Sequence, residues 1–450
     1  MVFKLSKKIG AAIIGLGMCV LFCSGCVNDL ADPTLVMTDE IGIFEELDIK
    51  GKVRATIDDI TEDIEDISSN NNIIENTLKS SELGNIGDGD FQGDKQKSDA
   101  EVVKDIQRPD VEVIKESKPE DYLKYGGYAY SLLNDTDKKV YKEIYTVINE
   151  HKNKCDLSTV NQDDISKIFQ YVMCDNPQLF MVEMYNLKTY ERNGMAFKAE
   201  FEPVYIMTQD EVKNYLDISR AYLEKCKTYL PSNASDYEKA KCAYEFIVNN
   251  TSYSIEAKLD QTMCSVTAYN ESVCQGYAKT YQYLLNEMGV FATLVTGVMN
   301  NGENHAWNLV EIDGEYYYVD VTHGDPINGG SSNLGVNYDY LCITTEELLK
   351  TRSIDDLLEV PNCISNDSNY YVKEKLCFES YDREKLHAIF DEAYLLGKDK
   401  VEIRAINSSV YKEILHNLIN NDEMFDFIND GTKQVNYLED YDMNTLKVWL

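Results

Sequence analysis

The chain has 450 residues, 44% of them hydrophobic, which is apolar material for two or three domains with sizeable cores and excludes a chain disordered throughout. Its 43 Lys and Arg stand against 78 Asp and Glu, a net charge of -35 spread along the sequence. A surface of that sign repels phosphate backbones and anionic surfaces, so nucleic-acid binding by charge neutralisation is excluded.

Residues 1–25 place Lys4, Lys7 and Lys8 before an apolar run from Ile9 to Cys23, followed by small Ser24 and Gly25. This is the pattern of an export signal, and the run is shorter than the ~20 residues of a spanning helix. Its end, "LFCSGC", resembles a bacterial lipoprotein lipobox, with Cys23 where Leu is usual and bulky Phe22 before it. The resemblance implies a lipid on Cys26 that tethers the chain to the cell membrane, each buried methylene contributing ~0.8 kcal/mol, with residues 27–450 on the extracellular side. Of twelve cysteines, Cys19 and Cys23 leave with the signal and Cys26 takes the lipid. The remainder have no zinc-ligand spacing and no regular pattern, so no disulfide and no metal site is assigned.

Residues 26–118 read as an acidic stalk and linker. Val53, Ile57, Ile60, Ile64, Ile67, Asn71, Ile74 and Leu78 alternate spacings of four and three, a heptad seam that predicts a short coiled coil, with self-association, or an amphipathic helix packed on its own domain. From Gly84 to Asp121 the composition is that of a solvated linker. Within it, Asp88–Asp99 loosely resembles a calcium loop but lacks the expected residues at Gln92 and Lys95.

Residues 119–235 predict a mixed α/β segment. Val140, Ile144, Val147 and Ile148 have helical spacing, "DDISKIFQYVMCDNPQLF" carries another such face, and "AFKAEFEPVYIM" alternates like a strand. Two further helices are expected at 209–228 and 236–249.

Residues 236–349 hold the chemistry. Ser272 followed by Gln275 fits a capping box, so a helix should begin there with Ala278, Tyr281, Leu284, Leu285 and Met288 on its buried face. Cys274 then falls in the first turn, where unpaired backbone N–H groups and the helix dipole favour a thiolate. Downstream, Asp313-Gly314 between two strand-like runs is a type I′ hairpin signal. If they form the turn, Ile312 faces Glu315, Trp307 faces Asp320 and His305 faces Thr322, so His305 and Asp320 become diagonal neighbours on one sheet face. A carboxylate that orients an imidazole, and an imidazole that takes the thiol proton, follow from this register. The same alternation puts His323 on the opposite face, as a rim or structural residue. Past Leu349, residues 350–450 form an accessory region with a βαβ-like run from "KVEIRAI" through "VYKEILHNLIN" to "TLKVWL".

The stretches "SVCQGYAKTYQYLL", "HAWNLV" and "YYYVDVTHGDP" closely resemble the transglutaminase-like superfamily, whose Cys, His and Asp motifs match Cys274, His305 and Asp320 in order and spacing. The resemblance covers roughly residues 236–345 and departs at His323, where members commonly have Trp. It implies an α+β, papain-like core in which a helix opened by the Cys packs on an antiparallel sheet bearing the His and the Asp. It also implies a Cys-His-Asp triad working through a thioester, with one oxyanion donor at the Cys274 backbone N–H. Gln261, Tyr253 and Tyr269 are candidates for the second donor. The superfamily includes amine cross-linkers, peptidases, deglycosylating enzymes and members without the triad. The expectation is a cell-surface cysteine acyl-transfer enzyme with no cofactor, acting on a protein or cell-wall peptide. The alternative is a non-catalytic surface binding or adhesion lipoprotein that uses the fold as scaffold.

Overall fold

A computed structural model of the chain describes residues 127–325, 335–428 and 435–450. The export signal with Cys26, the heptad seam at 53–78 and the Asp88–Asp99 stretch lie outside the described residues. Among the described residues no helix is long and apolar enough to cross a membrane.

The fold is α+β. Helix α1 (Asp135–Asn149) starts where Asn134 accepts hydrogen bonds from the backbone N–H groups of Thr136 and Asp137, and it buries Val140, Ile144, Val147 and Ile148. Helix α2 (Gln162–Asp175) packs beside it. Strands β1 (Cys155–Leu157), β2 (Val182–Arg192) and β3 (Met195–Tyr205) make an antiparallel sheet in the order β1-β3-β2. Helices α3 (Gln209–Lys227) and α4 (Asp236–Asn250) both open on reciprocal capping boxes, Thr208 with Glu211 and Ser235 with Glu238.

Helix α5 (Cys274–Glu287) lies within the main core of the described residues. Every residue from Gly276 to Leu285 is buried, so the single buried face expected from the sequence is replaced by burial on all sides. Its polar side chains remain compatible with this because they reach backbone acceptors: Thr280 Oγ1 donates to the Gly276 carbonyl at 2.7 Å, Gln282 Nε2 to Cys174 at 2.8 Å and Tyr281 Oη to Ala240 at 3.1 Å.

Against α5 lies an antiparallel sheet of β4 (Ala292–Met299), β5 (Asn304–Ile312), β6 (Glu315–Val319), β7 (Leu341–Ile343) and β8 (Arg352–Ile354), in the order β8-β4-β5-β6-β7. The β5–β6 hairpin turns on Asp313 and Gly314, with φ of 55° and 85°, and pairs Ile312 with Glu315 as the turn chemistry predicts. Ala306, Val310 and Ile312 join the main core, which runs from Ala129 to Leu358. Asn308 on the same face donates to the Ala278 carbonyl of α5 at 3.0 Å. Trp307 and Leu309 belong to a second cluster with Tyr318, Tyr340, Ile343 and Leu348.

The C-terminal region has its own core, built on β9 (Cys377–Phe378), α7 (Arg383–Leu395), β10 (Lys400–Ala405), α8 (Ser408–Leu415), β11 (Tyr437–Asp440) and β12 (Thr445–Trp449). The three segments read as βαβ-like are present, but β10 and β12 run antiparallel because the chain returns as a β11–β12 hairpin that reverses the last strand. The parallel crossover sits one element earlier, from β9 through α7 to β10.

Candidate active site

Cys274 is the first residue of α5, part-exposed and packed against the main core. The expected capping box does not form. The N-cap is Val273, with no side-chain cap, while Ser272 turns inward: its Oγ lies 2.6 Å from Ser265 Oγ and donates to the Asp260 carbonyl at 3.0 Å. Gln275 Nε2 donates to the Gln261 carbonyl at 3.2 Å. The segment before the helix is thus pinned to a loop that crosses over Gly276, and this explains the glycine. A Cβ there would stand 2.0 Å from Ser272 Oγ, 2.6 Å from Ser265 Oγ and 2.7 Å from the Asp260 carbonyl oxygen. The thiol keeps the place anticipated for it, at a helix N-terminus, by a different local device.

His305, the second residue of β5, is 7% exposed, and its Nε2 lies 2.8 Å from Asp320 Oδ2. Since a carboxylate only accepts, Nε2 carries the hydrogen, and Nδ1 is left as the ring nitrogen able to take a proton. The hairpin register delivers this pair as far as Asn308 opposite Val319. Beyond that point the chain departs from the strand: Asp320 is the N-cap of the four-residue helix α6 (Val321–Gly324), and its carboxylate accepts from the backbone N–H of His323 at 3.2 Å.

That departure corrects the expectation for His323. In a helical turn, residues three apart share a face, so His323 swings toward Asp320 instead of away from it. Its Nδ1 lies 2.8 Å from Asp320 Oδ2, and its ring centre is 4.9 Å from that of His305, at 88°. Arg352, the first residue of β8, brings Nη1 to the same oxygen. Nothing in the sequence near Arg352 marks it, since it lies 32 residues after Asp320 and past the boundary placed at 349.

Asp320 is therefore a buried carboxylate with three side-chain donors on one oxygen. Burial by itself would push its carboxyl up, but the charges of His305, His323 and Arg352 outweigh that and hold it well below the usual carboxylate range. His305 is moved down from its ordinary 6.5, by burial first; attraction to Asp320 opposes this, and His323 and Arg352 reinforce it. His305, Asp320 and His323 place three ligand-capable atoms within 4.8 Å of one another. Because both imidazoles and a guanidinium already donate to Oδ2, the arrangement is a set of donors around an anion, which disfavours an added cation.

Of the second-oxyanion candidates, Tyr269 Oη is 2.5 Å from Tyr215 Oη, and Tyr253 is exposed with its ring 6.5 Å from that of Tyr277. Gln261 borders a cavity of about 350 Å³ together with Phe169, Met173, Gln275, Lys279 and Thr296. The cavity thus reaches the residue after Cys274, while Cys274, His305 and Asp320 do not line it.

Residues 226–321 match the sequence profile of the Transglutaminase-like superfamily, a stretch that includes Cys274, His305 and Asp320. No curated protein matches the chain. Similar solved structures include a TGase at 19% identity, covering 35% of this chain and 48% of that one with a TM-score of 0.24. A candidate cysteine protease from Cytophaga hutchinsonii is 15% identical, covering 32% and 64% with a TM-score of 0.22. A candidate protease from Parabacteroides distasonis is 8% identical, covering 30% and 35% with a TM-score of 0.18. In each case the chain spans less than two thirds of the other protein's length.

Proposed function

We propose that this chain, whose residues 226–321 are a transglutaminase-like domain, is a cysteine acyl-transfer enzyme that uses Cys274 as nucleophile, His305 as acid and base, and Asp320 as the group that orients His305. The observation that supports it most is the 2.8 Å bond from His305 Nε2 to the Asp320 carboxylate, which leaves Nδ1 to exchange a proton with a thiol. Cys274 gives its proton to Nδ1 while the sulfur attacks an amide carbonyl carbon. The resulting oxyanion takes a hydrogen bond from the Cys274 backbone N–H at the start of α5. The imidazolium then passes its proton to the amide nitrogen, the C–N bond breaks and an amine leaves. A water or a second amine, deprotonated by His305, attacks the thioester and restores the thiol.

The acyl donor in this reading is a protein side chain or a wall peptide, and the enzyme acts at the cell surface through a lipid on Cys26. The sequence "LFCSGC" supports that placement. The test is turnover of glutamine-donor, amine and wall-peptide substrates by wild type and Cys274→Ala. Product formed by wild type and lost in Cys274→Ala supports the reading; turnover that survives the substitution contradicts it.

A further inference from the structure

Resting on that reading, we propose that Arg352 is a positioning residue for the candidate catalytic histidine: it clamps the Asp320 carboxylate so that the oxygen it engages is the one that holds His305. Arg352 is 1% exposed and is the one cation among the largest fully buried side chains of the described residues. Its centre lies 5.4 Å from the Trp307 ring and 4.9 Å from the Tyr340 ring, its Nε donates to Thr351 Oγ1 at 3.2 Å, and its Nη1 meets Asp320 Oδ2. Nη2 is buried with no hydrogen-bond partner among the described residues. A buried arginine with a donor left unsatisfied costs stability, so a purely structural site would be served better by an apolar side chain of that size.

The clamp joins three elements. Arg352 opens β8 and pairs with Met299 of β4. The opposite end of the guanidinium stack, Trp307, stands on β5 two residues from His305, whose ring centre is 6.0 Å away. Gly297 of β4 faces His305, and a Cβ on it would stand 2.0 Å from the Ser353 carbonyl oxygen of β8 and 2.6 Å from the Trp307 ring, so the bare backbone there lets both β8 and that ring approach. Asp320 has two carboxylate oxygens and a rotatable side chain. The pull of Arg352 on Oδ2 and that of the His323 backbone N–H on Oδ1 together remove that freedom. The charged and titratable groups that act on His305 are Asp320 at the N-cap of α6, His323 on α6 and Arg352 on β8, and the proposed function adds Cys274 at the head of α5. Tyr340 packs against His323 at 5.0 Å, and Tyr244 has its phenol pushed up by burial first and then by the charge of Asp320.

A permanent cation beside the pair disfavours the imidazolium and favours the thiolate. The acid limb of thiol reactivity therefore moves the same way whichever of the two groups it belongs to. The experiment measures iodoacetamide labelling of Cys274 against pH in the full chain for wild type, Arg352→Met, Arg352→Lys and His305→Ala. Arg352→Met should move the acid midpoint up by about one pH unit and slow labelling at its plateau. Arg352→Lys, which keeps the charge but lacks the planar fork, should return the midpoint to the wild-type value while the plateau rate stays below it. Should Arg352→Met not fold, Arg352→Lys decides: a plateau equal to wild type overturns the proposal. Folded Arg352→Met with wild-type midpoint and plateau overturns it as well. If His305→Ala too labels like wild type, the triad reading has failed; if only the Arg352 variants do, the clamp alone has failed.

Discussion

His323 Nδ1 and Asp320 Oδ2 stand 2.8 Å apart, so the carboxylate that orients His305 is shared between two imidazoles. His323 is the more open of the two, with about a third of its side chain exposed. Its loss leaves His305 and Arg352 in place on Asp320. His323→Ala should lower turnover by roughly three- to tenfold, about 1 kcal/mol. It should also move the acid midpoint up, because His323 pushes His305 down. Steady-state rates across pH check this, and a loss as deep as that of His305→Ala would assign His323 a direct role.

Asp320→Asn removes the negative charge from a site that holds Arg352 and two imidazoles. Leaving that guanidinium buried and unpaired should destabilise the fold by about 3 kcal/mol or more, measured by denaturant unfolding. The double variant Asp320→Asn with Arg352→Met should regain most of that stability. It should stay deficient in turnover, by up to ~10⁴ by analogy with the serine triad, because the orienting acceptor is gone. Recovery of both together would mean that Asp320 serves the fold alone.

Gly276→Ala should be costly for a residue so small. The added carbon meets Ser272 Oγ, Ser265 Oγ and the Asp260 carbonyl, all under 3 Å, and the last is backbone. Pushing that loop away should destabilise by about 1–3 kcal/mol and displace the start of α5, so turnover should fall together with the melting temperature. Gly289→Ala, where no atom lies within 4 Å, tests backbone strain alone through its positive φ of 78°. It should lower stability with little effect on turnover per folded molecule.

A separate pH signature lies in the upstream segment. Asp175 is buried and accepts from the N–H groups of Ala129 and Tyr130 and from Tyr141 Oη. Burial pushes its carboxyl up from 3.8 to about 6, against the pull of those donors. The folded state therefore binds a proton there that the unfolded state has already released, and this contribution to stability is lost as pH rises from about 4 through about 6. Unfolding free energies of wild type and Asp175→Asn should converge or cross over that interval, with wild type losing ground as pH rises. Parallel curves would contradict the assignment.

The parts legible in the sequence were those governed by local rules. Asp313-Gly314 announced its turn through the positive φ values it tolerates, and the period of two then placed Ile312 through Asn308 opposite Glu315 through Val319. Helices α1 and α2 followed from apolar spacing, and α3 and α4 lie where helices were expected at 209–228 and 236–249. The same reasoning failed where one local rule gave way to another. Alternation could not reach His323 once Asp320 had become a helix cap, and Ser272 had a better offer from Ser265 and Asp260 than from the helix it precedes. Arg352 was invisible because its meaning is tertiary: β8 reaches Asp320 only by pairing with β4, more than fifty residues earlier in the chain. The final strand was recognised, but its direction depends on the β11–β12 hairpin.

The measurement that tests the central claim most directly is the rate of iodoacetamide labelling of each thiol between pH 5 and 8, in wild type and in His305→Ala. Burial pushes Cys155, Cys174 and Cys264 up to about 12 and Cys363 to about 11, so these should label slowly. Cys242, 4.0 Å from Cys226 Sγ, is pushed down chiefly by its hydrogen bond with Cys226 and is the competing site. Cys274 should label fastest, with an acid midpoint below 6.5, the ordinary histidine value from which His305 is displaced downward. His305→Ala should abolish the advantage of Cys274 while leaving Cys242 unchanged. A Cys274 that labels no faster than the buried thiols, or whose rate is indifferent to His305→Ala, would contradict a cysteine enzyme built on Cys274, His305 and Asp320.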